Sequence, residues 1–112
     1  MNQLITKLRN QTWDESMMLR AETRTPATGW HNKAACRGSD PDLFFERHGH
    51  RDAIQICKTC PVMLDCGAEA WQNENAGVYF YGVYGAVAPL QRQLHHERRR
   101  RAHRAHTANL VA

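Results

Sequence analysis

The chain contains no apolar run approaching the ~20 residues that cross a bilayer, and its N-terminus lacks the continuous apolar stretch of a signal peptide. It reads as a cytosolic protein with no membrane partner. Aromatic residues are scarce at 8%, mean hydropathy is −0.67, and 112 residues amount to one small domain with a modest core. That excludes a large enzyme with two substrate domains. There is no internal repeat, no second C-x2-C knuckle, and no βαβ strand pattern around the one that exists.

What charge there is lies unevenly. Residues 91–112 hold six Arg and one Glu, whereas residues 1–90 hold nine Lys+Arg and ten Asp+Glu. The net +4 therefore resolves into a body of −1 and an arm of +5. Arg98, Arg99, Arg100, Arg101 and Arg104 make that arm a candidate phosphate-binding segment whose affinity falls with salt. The bland alternative is a solvated helix face, the usual fate of a charge run. No base-reading element is visible.

The organisation follows from punctuation and periodicity. Leu4, Ile5, Leu8, Trp13, Met17, Met18 and Leu19 make an imperfect helical stripe over residues 2–23, and Pro26 and Gly29 break it into a linker. Residues 1–28 read as an extension, 29–90 as the main domain and 91–112 as a basic tail. Within the domain, residues 30–36 suit two helical turns ended by Gly38 in a left-handed cap. Leu43-Phe44-Phe45 follows turn chemistry at 39–42, and adjacent Phe44 and Phe45 cannot both point inward. Residues 51–59 and 61–74 read as helices, with Pro61 at a first helical position, where its missing N–H is no loss. The β-branched and aromatic run 77–87, with three glycines, reads as a tight turn or short hairpin. Pro89 opens a last helix with Leu90 and Leu94 as its only apolar pair and the remainder solvated, including His95, His96, His103 and His106.

The chemistry lies in Cys36-x20-Cys57-x2-Cys60-x5-Cys66. In a reducing compartment such cysteines are metal ligands or redox groups before they are permanent disulfides. A C-x2-C pair brings two thiolates to one centre, Cys66 returns toward them from the following helix, and Cys36 closes the site from a separate helix upstream. Four thiolates hold either one tetrahedral zinc or an iron–sulfur cluster. The unequal spacing gives the cluster a modest edge, since a cubane spans more space than one ion. His31, His48 and His50 stand at no zinc-finger spacing from a cysteine and read as solvated. Cys57-Lys-Thr-Cys60 also admits a disulfide reductase, although that chemistry needs a thiolate of lowered pKa on a thioredoxin-like scaffold. A structural zinc-binding interaction domain is the other alternative.

The cysteine spacing, Trp30 before the first cysteine, the run AACRGSDPDLFFE and the later GVYGA together resemble the WhiB-like proteins of actinobacteria and their phages, over about residues 29–101. The resemblance implies a mostly α transcription regulator, not an enzyme: a small helical domain organised around a 4Fe-4S cluster, with a Gly-aromatic turn and a basic C-terminal tail. It implies cluster ligands at Cys36, Cys57, Cys60 and Cys66, and a cluster that reacts with oxygen or nitric oxide. It further implies that the loaded form binds the C-terminal domain of the principal sigma factor through Trp30, Phe44, Phe45 and Tyr84. Loss of the cluster would free thiols for disulfides, and the apo form would bind DNA through the arginine tail. The family turn is G-[VI]-W-G-G. Here it reads Gly82-Val83-Tyr84-Gly85-Ala86, so a positive φ at the last position would strain Ala86.

Overall fold

The computed structural model describes residues 15–79 and 81–111. Among them the chain is helical, with one isolated antiparallel bridge between Tyr84 and Val87. Helices α1 (Glu15–Glu22), α2 (Asp42–Phe45), α3 (His50–Lys58), α4 (Met63–Asn75) and α5 (Pro89–Val111) are joined in part by 3-10 turns at Trp30–Lys33 and Arg47–Gly49. The mostly α expectation holds. Leu4, Ile5, Leu8 and Trp13 lie outside the described residues.

Helix α3 places Asp52 in its first turn and Lys58 in its last, the order the helix dipole favours. It buries Ala53, Ile54 and Cys57, residues on one face. They form a core with Val83 and Ala86, against which Met17, Leu43, Phe44 and Met63 pack. Helix α4 begins at Met63, two residues after Pro61, so the proline lies in the preceding turn instead of at the first helical position. At its other end, Val78 N–H donates to Asn73 O at 2.8 Å and Gly77 N–H to Glu74 O at 3.0 Å, with Gly77 at φ 93°. This is a Schellman ending, and it leaves the Glu74 side chain in the last turn of α4.

The N-terminal segment is more than a linker. Met18 and Ala21 of α1 are buried, and Met18 shares a second core with Trp71 and Val87. The stretch after α1 is pinned to α4 by Asp65, whose carboxylate accepts from Arg24 Nε at 3.1 Å and from Ala27 N–H at 3.0 Å. Gln72 Nε2 donates to Arg24 O at 3.0 Å. Buried Asp65 is thus fully engaged, which is what makes its burial tolerable.

Helix α5 overturns the expected pattern most clearly. Leu90 and Leu94 are 56% and 43% exposed, whereas Arg92, His95 and His96 are buried. Polar partners explain the inversion: His96 stacks on Trp71 at 3.7 Å and 5°, and its Nε2 lies 3.2 Å from Glu74 Oε1. His95 Nε2 lies 3.2 Å from Glu22 Oε2. The first two turns of α5 belong to the body, and the exposed arginines begin only at Arg98.

Candidate metal centre

The four cysteines come from three local structures. Cys57 lies in the last turn of α3; Cys60 N–H donates to Cys57 O at 3.0 Å and Met63 N–H to Cys60 O at 3.3 Å, so the C-x2-C turns tightly into α4, where Cys66 sits in the first turns. Cys36 lies in an irregular turn after the 3-10 turn, not on a helix as expected, because Ala34 leaves the helical region at φ −69°, ψ 132°. Ala35 N–H donates to Cys60 Sγ at 3.4 Å, which ties the Cys36 segment to the C-x2-C. All four are free thiols and line a single cavity of about 370 Å3. Trp30, Phe44, Phe45 and Tyr84 form part of its walls.

Burial pushes the Cys57 thiol up to about 11 and the Cys66 thiol up to about 12, with the other cysteines adding to the rise. The backbone amides of Ala86, beside Cys57, and of Gly85, beside Cys66, act in the opposite direction. Protonated thiols at Cys57 and Cys66 are poor nucleophiles at neutral pH, and for Cys57 that is the reverse of what a C-x2-C reductase needs. They suit a cationic group that displaces the protons and leaves thiolates bonded to metal. Trp30 lines the cavity, and its buried Nε1 has no acceptor among the described residues. The cavity is also some tenfold larger than the roughly 30 Å3 that a water occupies in the liquid. Among the described residues no three Cys, His, Asp or Glu side chains stand in the arrangement of a single-ion site. The donor set, the room and the N–H groups together fit an iron–sulfur cluster.

The glycine-aromatic turn forms one wall. Tyr84 and Val87 exchange both backbone hydrogen bonds, 3.2 and 3.0 Å, around a two-residue loop in which Gly85 has φ 61° and Ala86 φ 67°. Positive φ at both central positions is the I′ hairpin turn. Ala86 is therefore strained, as its departure from the family pattern implies, by about 1–2 kcal/mol. Gly85 must be glycine twice over, since an added Cβ would lie 2.6 Å from the Gly67 Cα. Gly82 and Val83 are buried; Val83 N–H donates to Phe44 O at 2.9 Å, and Gly82 lies against the Phe45 ring.

The aromatic residues divide as their adjacency requires. Phe44 packs on the core, whereas Phe45 is 53% exposed at the cavity mouth. Trp30 is buried and stacks on His31 at 3.8 Å, and His31 Nε2 lies 3.2 Å from Glu69. Tyr84 is half-buried, its ionisation disfavoured mainly by that burial. Arg98, Arg99, Arg100, Arg101 and Arg104 are all exposed along α5, and none of them lines the cavity; Arg99 pairs with Glu22, and Arg101 lies 3.9 Å from Glu97. Sequence reasoning missed Arg92 and Glu74. Arg92 counts as one more cation of the tail, and its only signal is its place one turn after Pro89, too near the domain to be free of it.

Fold and site together define a small helical domain that gathers four thiols under a glycine turn. The family described as Transcription factor WhiB matches residues 30–102, and the chain belongs to that family. Transcriptional regulator WhiB4 of Mycobacterium marinum is 43% identical over 65 residues, covering 57% of this chain and 53% of that protein. Transcriptional regulator WhiD of Streptomyces coelicolor is 34% identical over 73 residues, covering 57% and 62%. The redox-responsive transcriptional regulator WhiB3 of Mycolicibacterium smegmatis is 28% identical over 74 residues, covering 58% and 73%. The match spans about half the length of the WhiB4 relative. No helix among the described residues is long and apolar enough to cross a membrane.

Proposed function

We propose that the chain is a cytoplasmic, redox-responsive transcription regulator that holds one 4Fe-4S cluster on Cys36, Cys57, Cys60 and Cys66. The observation that carries this reading is the convergence of four free thiols on one aromatic-walled cavity, with the Ala35 N–H donating to one of the sulfurs. When bound, the cluster supplies one-electron chemistry and a site of attack for oxygen or nitric oxide. The chain's own residues do the rest. Phe44, Phe45, Trp30 and Tyr84 limit water at the sulfurs, while half-exposed Phe45 leaves a path for a small gas. The same residues are the face offered to the C-terminal domain of the principal sigma factor. Arg98, Arg99, Arg100, Arg101 and Arg104 hold nearby phosphates of DNA, and promoter choice comes from the sigma factor.

Because Cys36 joins the other three across separate elements, loss of the cluster releases the Trp30–Ser39 segment from the α3–α4 turn. Residues freed in this way include thiols that oxygen can oxidise pairwise to a disulfide, each pair giving up two electrons and two protons. Protein purified without oxygen should carry about four irons and as much sulfide per chain, with broad visible absorption, and should copurify with the sigma-factor domain. A colourless protein with one zinc per chain would overturn the cluster reading.

A further inference from the structure

Arg92 lies in the stretch that looks most like solvated tail, yet its side chain is 0% exposed. A guanidinium so buried is costly unless its donors are occupied. Nε donates to Glu74 Oε1 at 3.1 Å, Nη1 to Val87 O at 2.6 Å and Nη2 to Gly82 O at 2.9 Å. Its carbon centre lies 5.4 Å from the centroid of the Tyr84 ring. The two carbonyls bracket the loop that carries the Gly85 and Ala86 amides.

We propose that Arg92 is the positioning residue of the four-cysteine site: by gripping the carbonyls of Gly82 and Val87 from outside, it fixes the turn whose Gly85 lines the cavity against the helix that presents Cys66 and whose Ala86 packs beside Cys57, and so holds their amides next to the sulfurs. A planar fork with diverging donors can hold both carbonyls and a carboxylate at once, which an ammonium cannot. The grip also accounts for Ala86. A non-glycine residue persists at positive φ only where its surroundings over-determine it, and here the Tyr84–Val87 bridge, the Gly67 contact and the Arg92 clamp do so. Through the Val83 to Phe44 hydrogen bond the same clamp sets the aromatic lip of the cavity. Glu74 holds the guanidinium in place and is itself fixed by the Schellman ending of α4 and by His96.

The clamp is independent of which metal the sulfurs hold; only its electronic consequence rests on the cluster reading above. Hydrogen bonds to cluster sulfurs stabilise the more anionic, reduced state and so raise the potential. The test compares full-length protein, purified without oxygen and with whatever metal it carries, with Arg92→Lys and with His95→Ala, which loosens α5 without touching the turn. In Arg92→Lys, amide exchange at Gly85 and Ala86 should quicken by about tenfold or more, while the middle of α3 and α4 stays protected. The reduction potential should fall in Arg92→Lys only. His95→Ala should lower the thermal midpoint with neither change. Unaltered exchange at Gly85 and Ala86 in Arg92→Lys, or an equal rise in His95→Ala, would overturn the proposal. Faster exchange with an unmoved potential would also overturn it, leaving Arg92 a structural tie. If the protein carries a redox-inert metal the cluster reading fails, and the exchange comparison still decides the clamp.

Discussion

Gly85 meets Gly67 backbone to backbone: a Cβ built on Gly85 would stand 2.6 Å from the Gly67 Cα and 2.8 Å from its nitrogen. The residue before Gly67 is a cysteine of the site, so the glycine turn seats directly on the helix that presents Cys66. Neither neighbour can retreat, because one is helix backbone and the other is closed by the Tyr84–Val87 bridge. Gly85→Ala should therefore cost at least about 2–3 kcal/mol from clash and positive φ together, and should reduce metal content per chain. Thermal unfolding with metal analysis checks it; full metal loading with an unchanged midpoint would contradict the packing described.

Ala86→Gly acts in the opposite direction. It relieves the left-handed strain of about 1–2 kcal/mol, against the greater entropy that glycine loses on folding, roughly 0.5–1 kcal/mol. The net gain should be about 0.5–1 kcal/mol and a few degrees in the unfolding midpoint, with metal stoichiometry unchanged.

Acid should weaken the N-terminal attachment through Asp65. The Ala27 N–H and then Arg24 hold its carboxyl below the ordinary value of 3.8. A carboxylate depressed in the folded state contributes stability that is complete above its unfolded value and lost as pH falls through the folded one. Unfolding midpoints followed from pH 7 down should drop below pH 3.8, and Asp65→Asn should be less stable at neutral pH with a flatter acid limb.

Removing the metal should take up protons. With Cys57 pushed up to about 11 and Cys66 up to about 12, both sulfurs return to thiols at pH 7 when the cation leaves. Chelation in weakly buffered solution should consume about two protons or more per chain, counted by titration. No uptake would mean that these sulfurs were never thiolates.

Salt should report on the arm. Arg100→Ala with Arg104→Ala should weaken DNA binding evenly across sequences and flatten the plot of log affinity against log salt by about 0.9 for each phosphate no longer neutralised. Titrations at several salt concentrations measure the slope; an unchanged slope would place these arginines off the DNA.

The helical class, the α3–α4 pair, the hairpin at Tyr84–Val87 and the opening of α5 at Pro89 were legible because each has a local cause: an apolar face, a breaker or a turn residue. The convergence of four cysteines was suggested by spacing and the strain at Ala86 by comparison with the family turn. What stayed hidden is non-local. Nothing near Arg92 in the chain reveals Glu74 and the Gly82 carbonyl, and nothing near His96 reveals the Trp71 face on which it lies. Charged and imidazole side chains read as solvent-facing until their partners are in place, so the apolar pair Leu90 and Leu94 drew the boundary on the wrong side of the helix. Asp65 carries no local signal either, since the residues that satisfy it lie some forty positions upstream.

Helix α5 carries a mechanical consequence. It runs for 23 residues, about 34 Å, enters the body at Arg92, His95 and His96, and is tied to α1 once more by the Arg99–Glu22 pair. From Arg92 to Leu110 is about 27 Å of rod, so a tilt of about ten degrees at the embedded end sweeps the far end through about 5 Å. That is close to one helical pitch. Arg104, about 18 Å along the rod from Arg92, moves by about 3 Å in the same tilt, so a slight rearrangement under the turn reaches the outer arginines enlarged.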